Sequence, residues 1–374
     1  MNTGKDSGRI FYIDNLRIFL TALVICHHQS IAFGAPGGWY YIVRESTDIV
    51  STIALVIFVG VNQAFFMSLF FFVAAYFTPI SLDSKGTRRF IRDRLIRLGI
   101  PLLAYFFLLN PSVMYITLYF KDKVQSGYLT FMINEALSYT GWGPLWFVFS
   151  LLIFTSVYLL VLKLTRRKNT IAWPGNKQIF AFIIGIGALT FLLRIINPLG
   201  NNLLGLQIAY YPLYIAFFIF GIQAYRGNWL YKLEERQATL WFRISLALIL
   251  ALPAILVLGG ALSGQADAFK GGLTVQSLTY SLWEPFICVG ISMKLLVLFR
   301  NRFNTTSPIT ARLSGSAYTA YIVHPFFVVA ATHLARNWPL PSLGIVLILC
   351  PLVIITCFAS SNVLRQLPGL KRVL

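Results

Sequence analysis

Tyr12-Ile-Asp-Asn-Leu-Arg17-Ile-Phe-Leu-Thr-Ala-Leu-Val-Ile-Cys-His27-His28 is the stretch that decides what kind of fold this chain adopts. It belongs to an apolar run of the length that crosses a bilayer, about 20 residues, yet it carries ionisable groups. A helix turns about 100° and rises about 1.5 Å per residue, so Arg17 and His28 fall on one face, about 16 Å apart in depth. His27 points roughly 80° away from that stripe. Ionisable groups in hydrocarbon are costly, so each needs a partner, a polar cavity or a function. Asp14, three residues before Arg17, is placed to bond the guanidinium along the helix.

Working outward, the 374 residues are 57% hydrophobic and only 11% charged, with mean hydropathy +0.72. Soluble domains carry roughly 25% charged residues. Apolar runs recur at about 10–33, 52–79, 99–119, 144–163, 177–196, 207–224, 239–260, 276–299, 316–335 and 341–363. The fold class is therefore all-α: a polytopic integral membrane protein with about ten transmembrane helices. No internal repeat, linker or soluble segment divides it, so residues 1–374 read as a single transmembrane domain. Residues 120–143 form the longest outer loop, with a short interfacial helix expected at Phe131–Leu137.

Of the 31 Lys and Arg, 22 fall in alternate connections together with both termini, five in the opposite connections and four within spans. That asymmetry places both termini in the cytoplasm. The same topology explains the net charge of +19; nucleic acid is excluded as a partner because the basic residues lie between spans and not along one amphipathic face. Cys26, Cys288, Cys350 and Cys357 lie within apolar runs and read as buried free thiols, and no metal-ligand spacing is present. The first span resembles a secretory leader in its flanking Lys5 and Arg9, but its length, its paired histidines and the spans that follow identify a retained helix.

Three further groups need explaining. Glu284, in Tyr280-Ser-Leu-Trp-Glu284-Pro285, sits about a third of the way into the eighth span, at a depth comparable to His28. It is either a catalytic group or the partner of a cation such as Lys294 or Arg194. His324, in Tyr318-Thr-Ala-Tyr321-Ile-Val-His324-Pro325, is a third intramembrane ionisable site, and the proline after it frees a backbone carbonyl. The basic loop Arg88-Arg-Phe-Ile-Arg92-Asp-Arg94-Leu-Ile-Arg97 holds more charge than orientation needs. Arg94 and Arg97 share a helical face, and the planar guanidinium suits phosphate. Gly143-Pro-Leu-Trp146-Phe147 reads as an aromatic-belt anchor at the outer interface.

Taken together, Arg17-x10-His28, the run Ser68-Leu-Phe-Phe-Phe-Val-Ala-Ala-Tyr-Phe, Arg94-x2-Arg97, Leu145-Trp146-Phe147 and Tyr318-x2-Tyr321-x2-His324-Pro325 resemble the acyltransferase-3 family of integral-membrane acyltransferases, in the family's order and over nearly the whole length. Ala74-Ala75 departs from the Ser-Gly that many members carry after the Phe run. The resemblance implies transfer of an acyl group, often acetyl, from acyl-CoA to a hydroxyl of a carbohydrate, glycolipid or surface glycan, in the bacterial cytoplasmic (inner) membrane. It maps the essential histidine onto His28, its paired arginine onto Arg17, and the element that meets the CoA phosphates onto Arg94 and Arg97.

A hydroxyl is a poor nucleophile and neutral imidazole a good general base near pH 7, which assigns deprotonation to His28. Glu284 is the candidate to orient that imidazole, and His324 joins them as a candidate catalytic group. A membrane transporter that uses the intramembrane His, Glu and Arg groups as a substrate or proton path is the alternative. Against it, no repeat relates the two halves.

Overall fold

The computed structural model describes residues 10–43, 48–165 and 170–373. Lys5, Arg9, Arg44, Arg166, Arg167 and Lys168, which entered the charge count, lie outside the described residues. Ten long helices run through the described chain: α1 (Phe11–Ala32), α2 (Ile49–Lys85), α3 (Thr87–Phe120), α4 (Gly143–Thr165), α5 (Asn176–Ile196), α6 (Ile208–Arg226), α7 (Glu235–Leu258), α8 (Val275–Arg302), α9 (Pro308–Ala335) and α10 (Ser342–Leu364). No strand occurs among the described residues beyond one isolated bridge, Leu203 to Leu206. Nine of these helices, α2 to α10, are long and apolar enough to cross a membrane, judged by length and composition. The remaining one, α1, has 22 residues, about 33 Å at 1.5 Å per residue, and is the one whose apolar run is diluted by Asp14, Arg17, His27, His28 and Gln29. The protein is an all-α, multi-pass integral membrane protein.

The Phe-rich middle of α2 explains the arrangement of the bundle. Leu69, Phe71 and Ala75 are fully buried, because α2 is packed on α6, α8 and α1 at once. Its Phe71 ring lies 4.6 Å from Phe147, 5.1 Å from Phe154 and 5.3 Å from Tyr214, contacts that close-packed aromatic rings favour. Gly221 lets α6 lie directly on α2: a Cβ there would run into the Phe72 carbonyl and the Ala75 methyl. The alanine that departs from the family's pattern thus faces a glycine, which makes room for its methyl. α1 packs on α9, α2, α10 and α8, so its polar stripe meets protein on several sides.

Two expectations are corrected. Arg88–Arg97 is helical, not a loop: after the elbow at Gly86 (φ +73°), α3 begins at Thr87 and carries the arginines in its first turns. Two π turns interrupt it, Leu95–Gly99 and Tyr105–Leu109, each followed within two residues by a proline, Pro101 and Pro111. A proline supplies no N–H, and the wider turn re-registers the ladder around it. The short outer helix is Tyr128–Asn134, a few residues earlier than expected; its Leu129 and Ile133 are 74% and 81% exposed.

Candidate functional site

His28 near the C-terminal end of α1 and His324 in the middle of α9 are brought together. Their rings lie nearly parallel and edge to edge, with centroids 5.0 Å apart and an 8° angle, and His28 Nδ1 lies 2.9 Å from His324 Nε2. His324 Nδ1 is 2.7 Å from the Tyr321 carbonyl oxygen. That carbonyl would ordinarily accept the amide of residue 325, which is a proline and has none, so the imidazole takes the free acceptor. The partners assign the protons. A carbonyl only accepts, so His324 Nδ1 donates to it; in a neutral ring Nε2 is then an acceptor, and His28 Nδ1 must donate to it. The unshared pair of His28 is left on Nε2, the nitrogen free to act as a base.

Trp39, from the loop after α1, closes the pair from the other side. Its ring stacks on His28 at 3.9 Å and 12°, and lies 5.7 Å from His324. Next to it, the Tyr40 hydroxyl donates to Asn110 Oδ1 and lies 3.1 Å from the Tyr105 hydroxyl. Burial pushes the Tyr40 hydroxyl well above its ordinary pKa, which keeps it a donor. Gly143, at φ +45°, permits this closure: a Cβ there would collide with the Tyr40 and Tyr105 side chains. The following Pro144 offers its carbonyl to the Tyr321 hydroxyl. The segment read as a belt anchor therefore packs inward: Pro144 and Leu145 are buried, and Trp146 stacks on Tyr214 at 5.5 Å.

Arg17, Arg94 and Arg97 meet at the other end of the bundle, around a cleft of about 400 Å³ that Lys85, Thr21 and Tyr321 also line. Arg17 pairs with Asp14 at 3.1 Å, as its spacing implied, and donates to the Ser314 carbonyl at 3.4 Å. Arg94 donates to Thr78 Oγ1 at 2.9 Å with its guanidinium over the Phe90 ring. Lys85 and Asp93 form an ion pair of 2.5 Å at the rim. Between this basic rim and Tyr321 the walls are apolar, with Met67, Phe70, Phe147 and Leu151. Thr21 is two turns from His28, about 10 Å along α1, and Tyr321 is the residue whose carbonyl holds His324. The cleft therefore shares Tyr321 with the His28–His324 pair, and its wall on α1 ends two turns short of His28.

Glu284 is not brought to the imidazoles. Its Oε2 is 2.6 Å from Arg194 Nη2, both side chains are essentially fully buried, and it makes no contact with His28. Arg194 also donates to Ser281 Oγ at 3.3 Å and lies over the rings of Tyr210 and Tyr280. The expected orienting carboxylate is instead the counterion of an arginine, because a charge at that depth is tolerable only with its opposite in contact. The group that lies against His28 is His324, not Glu284. Asn110, a polar residue ahead of a mid-span proline, was a legible signal of a buried polar site. Nothing in the local sequence marks Trp39. Among the described residues no group of three His, Cys, Asp or Glu could hold a metal ion.

A family model described as "Acyltransferase domain" matches residues 10–361. The chain belongs to the acyltransferase-3 family. Its relatives include "Glucans biosynthesis protein C" of Escherichia coli (strain K12) and of Shigella dysenteriae serotype 1 (strain Sd197). Each is 24% identical over 350 residues, covering 88% of this chain and 86% of the relative. No solved structure matches the chain. Membership makes this protein a membrane O-acyltransferase, an enzyme that moves an acyl group from a donor to an acceptor.

Proposed function

We propose that this acyltransferase moves an acyl group from acyl-CoA, bound at the basic cleft, to a hydroxyl of a carbohydrate acceptor, with His28 as general base. The observation that carries the reading is the His28–His324–Tyr321 carbonyl chain, which leaves His28 Nε2 unshared, with Tyr321 also lining the cleft that the arginines rim. His28 Nε2 takes the proton of the acceptor hydroxyl as its oxygen attacks the thioester carbonyl. The C–S bond then breaks, and the imidazolium returns that proton to the departing CoA sulfur. His324 positions the base and accepts from its Nδ1–H while the charge develops. Arg94 and Arg97 meet the donor's phosphates from the side that the basic residues assign to the cytoplasm, and the apolar throat takes its long thin arm. Arg17 holds the rim with Asp14 and adds a third cation toward the donor. A glucan is the acceptor class suggested by the relatives' name, and a bacterial inner membrane the matching location.

Radiolabelled acetyl-CoA supplied to the reconstituted protein with a glucan is expected to leave label on the glucan. Label carried across the membrane without incorporation would instead make the protein a transporter. Replacing Arg94 and Arg97 together by glutamine is expected to raise the donor KM by roughly tenfold or more, with a smaller effect at high salt, since charge-assisted contacts of this kind contribute about 1.5–3 kcal/mol each. An unchanged KM would remove them from the donor site. His324→Ala should lower kcat by about 10- to 10³-fold with little change in donor KM, because an imidazole without its orienting partner loses its tautomer and its aim. A change confined to KM would argue against that role.

A further inference from the structure

Two cavities on the basic end of the bundle, away from the cleft, share one wall made by Trp173 and Pro174. The first, of about 160 Å³, lies between α2, α5, α6 and α8 and is lined by Phe72, Ile179, Phe220, Met293 and Trp229. It exposes only apolar atoms. The second, of about 740 Å³, has charged residues in its wall: Lys232, Arg236 and Arg243 with Glu234 and Glu235. Glu235 is turned toward α8, where its Oε2 accepts from Asn301 at 3.3 Å and its Oε1 lies 4.0 Å from Lys294. The three cations outnumber the one remaining acid.

Arg243 is the unusual member. It lies eight residues inside the apolar α7, about 12 Å from its start, is exposed, and has no hydrogen-bond or ion-pair partner among the described residues. An arginine at such depth is costly unless its guanidinium snorkels to the interface, where water or an anionic headgroup receives it. Arg236, seven residues earlier, is on the same stripe of the helix. An apolar slot beside a cationic chamber at a membrane surface matches a molecule with a hydrocarbon tail and a phosphate head.

The geometry points to a binding site for one anionic glycerophospholipid of the basic-side leaflet, with a tail in the slot and its phosphate on Arg236 and Arg243. The site is separate from the acyl-transfer cleft and independent of its chemistry.

The test is native mass spectrometry of the purified full chain, titrated with dioleoyl phosphatidylglycerol, dioleoyl phosphatidylcholine or glycerol 3-phosphate. One phosphatidylglycerol is expected to stay bound, in preference to phosphatidylcholine, and glycerol 3-phosphate should not displace it. Arg236→Gln with Arg243→Gln is expected to weaken retention by roughly 10- to 30-fold, as two cations near a lipid phosphate would. Phe220→Trp, which fills the slot, should abolish it; a melting curve like that of the parent shows that the variant is folded. Should that variant unfold, the surface arginine pair still decides. Equal retention of phosphatidylcholine, displacement by glycerol 3-phosphate, or undiminished binding by the arginine double variant would each overturn the proposal.

Discussion

His28→Ala is expected to lower acyl transfer by about 10²–10⁴-fold, the usual contribution of a positioned general base, while leaving the donor KM near that of the parent. The reason is geometric. His28 Nδ1 is taken by His324 Nε2 at 2.9 Å and the ring face by Trp39, so Nε2 is the one nitrogen left for the acceptor. Alanine removes the base and also a stacked ring. His28→Gln retains bulk between Trp39 and His324 and provides the control: it should be as inactive as alanine and melt closer to the parent. The measurement is label transferred from acyl-CoA to a glucan under single-turnover conditions. Turnover of either variant within about threefold of the parent would take the proton transfer away from His28. His27 offers the contrast: it packs on Phe66, with ring centroids 5.0 Å apart, so His27→Gln should fall far short of the His28 effect.

The second large effect is one of stability. Removing one member of a buried ion pair leaves an uncompensated charge and costs about 3–5 kcal/mol. Arg194→Met or Glu284→Gln alone should lower the melting temperature sharply, because Arg194 and Glu284 are 0% exposed and hold α5 to α8 across 2.6 Å. Combining Arg194→Met with Glu284→Leu removes both charges and should recover much of the loss, since contacting residues are not additive. Strictly additive losses would show that the pair is not coupled. The same double variant separates two roles for Glu284. Folded protein with normal transfer identifies a structural counterion, whereas folded protein as inactive as His28→Ala would return Glu284 to the catalytic step.

These roles show where sequence reasoning reaches. The helices were legible because a bilayer demands about 20 consecutive apolar residues whatever lies beside them, and nine of ten runs became helices of that kind, with α1 as the diluted tenth. The Arg17–Asp14 pair was legible for a similar reason: both residues lie on one helix, and helical spacing is local. The role of Pro325 followed from covalent structure alone, since a residue without an N–H leaves a carbonyl free.

What lay beyond reach depends on which helices touch. His28 and His324 are 296 residues apart in sequence, and Glu284 and Arg194 are 90. At comparable depth in the bundle, Glu284 was as plausible a partner for His28 as His324. A carboxylate pairs with whichever cation the packing delivers, and packing here is set by close approaches such as Gly221 on α2 and by the aromatic contacts of Phe71. Trp39 is a loop residue whose place over the imidazoles depends on the fold of the loop. By itself, then, the sequence determined the membrane-spanning helices, the family and the titratable residues that needed partners, because burial in hydrocarbon and helical periodicity act within a single segment. Only the tertiary structure decided the partners, placing His324 on His28 and Glu284 on Arg194, because side-chain pairing is a property of helix contacts that no one segment contains.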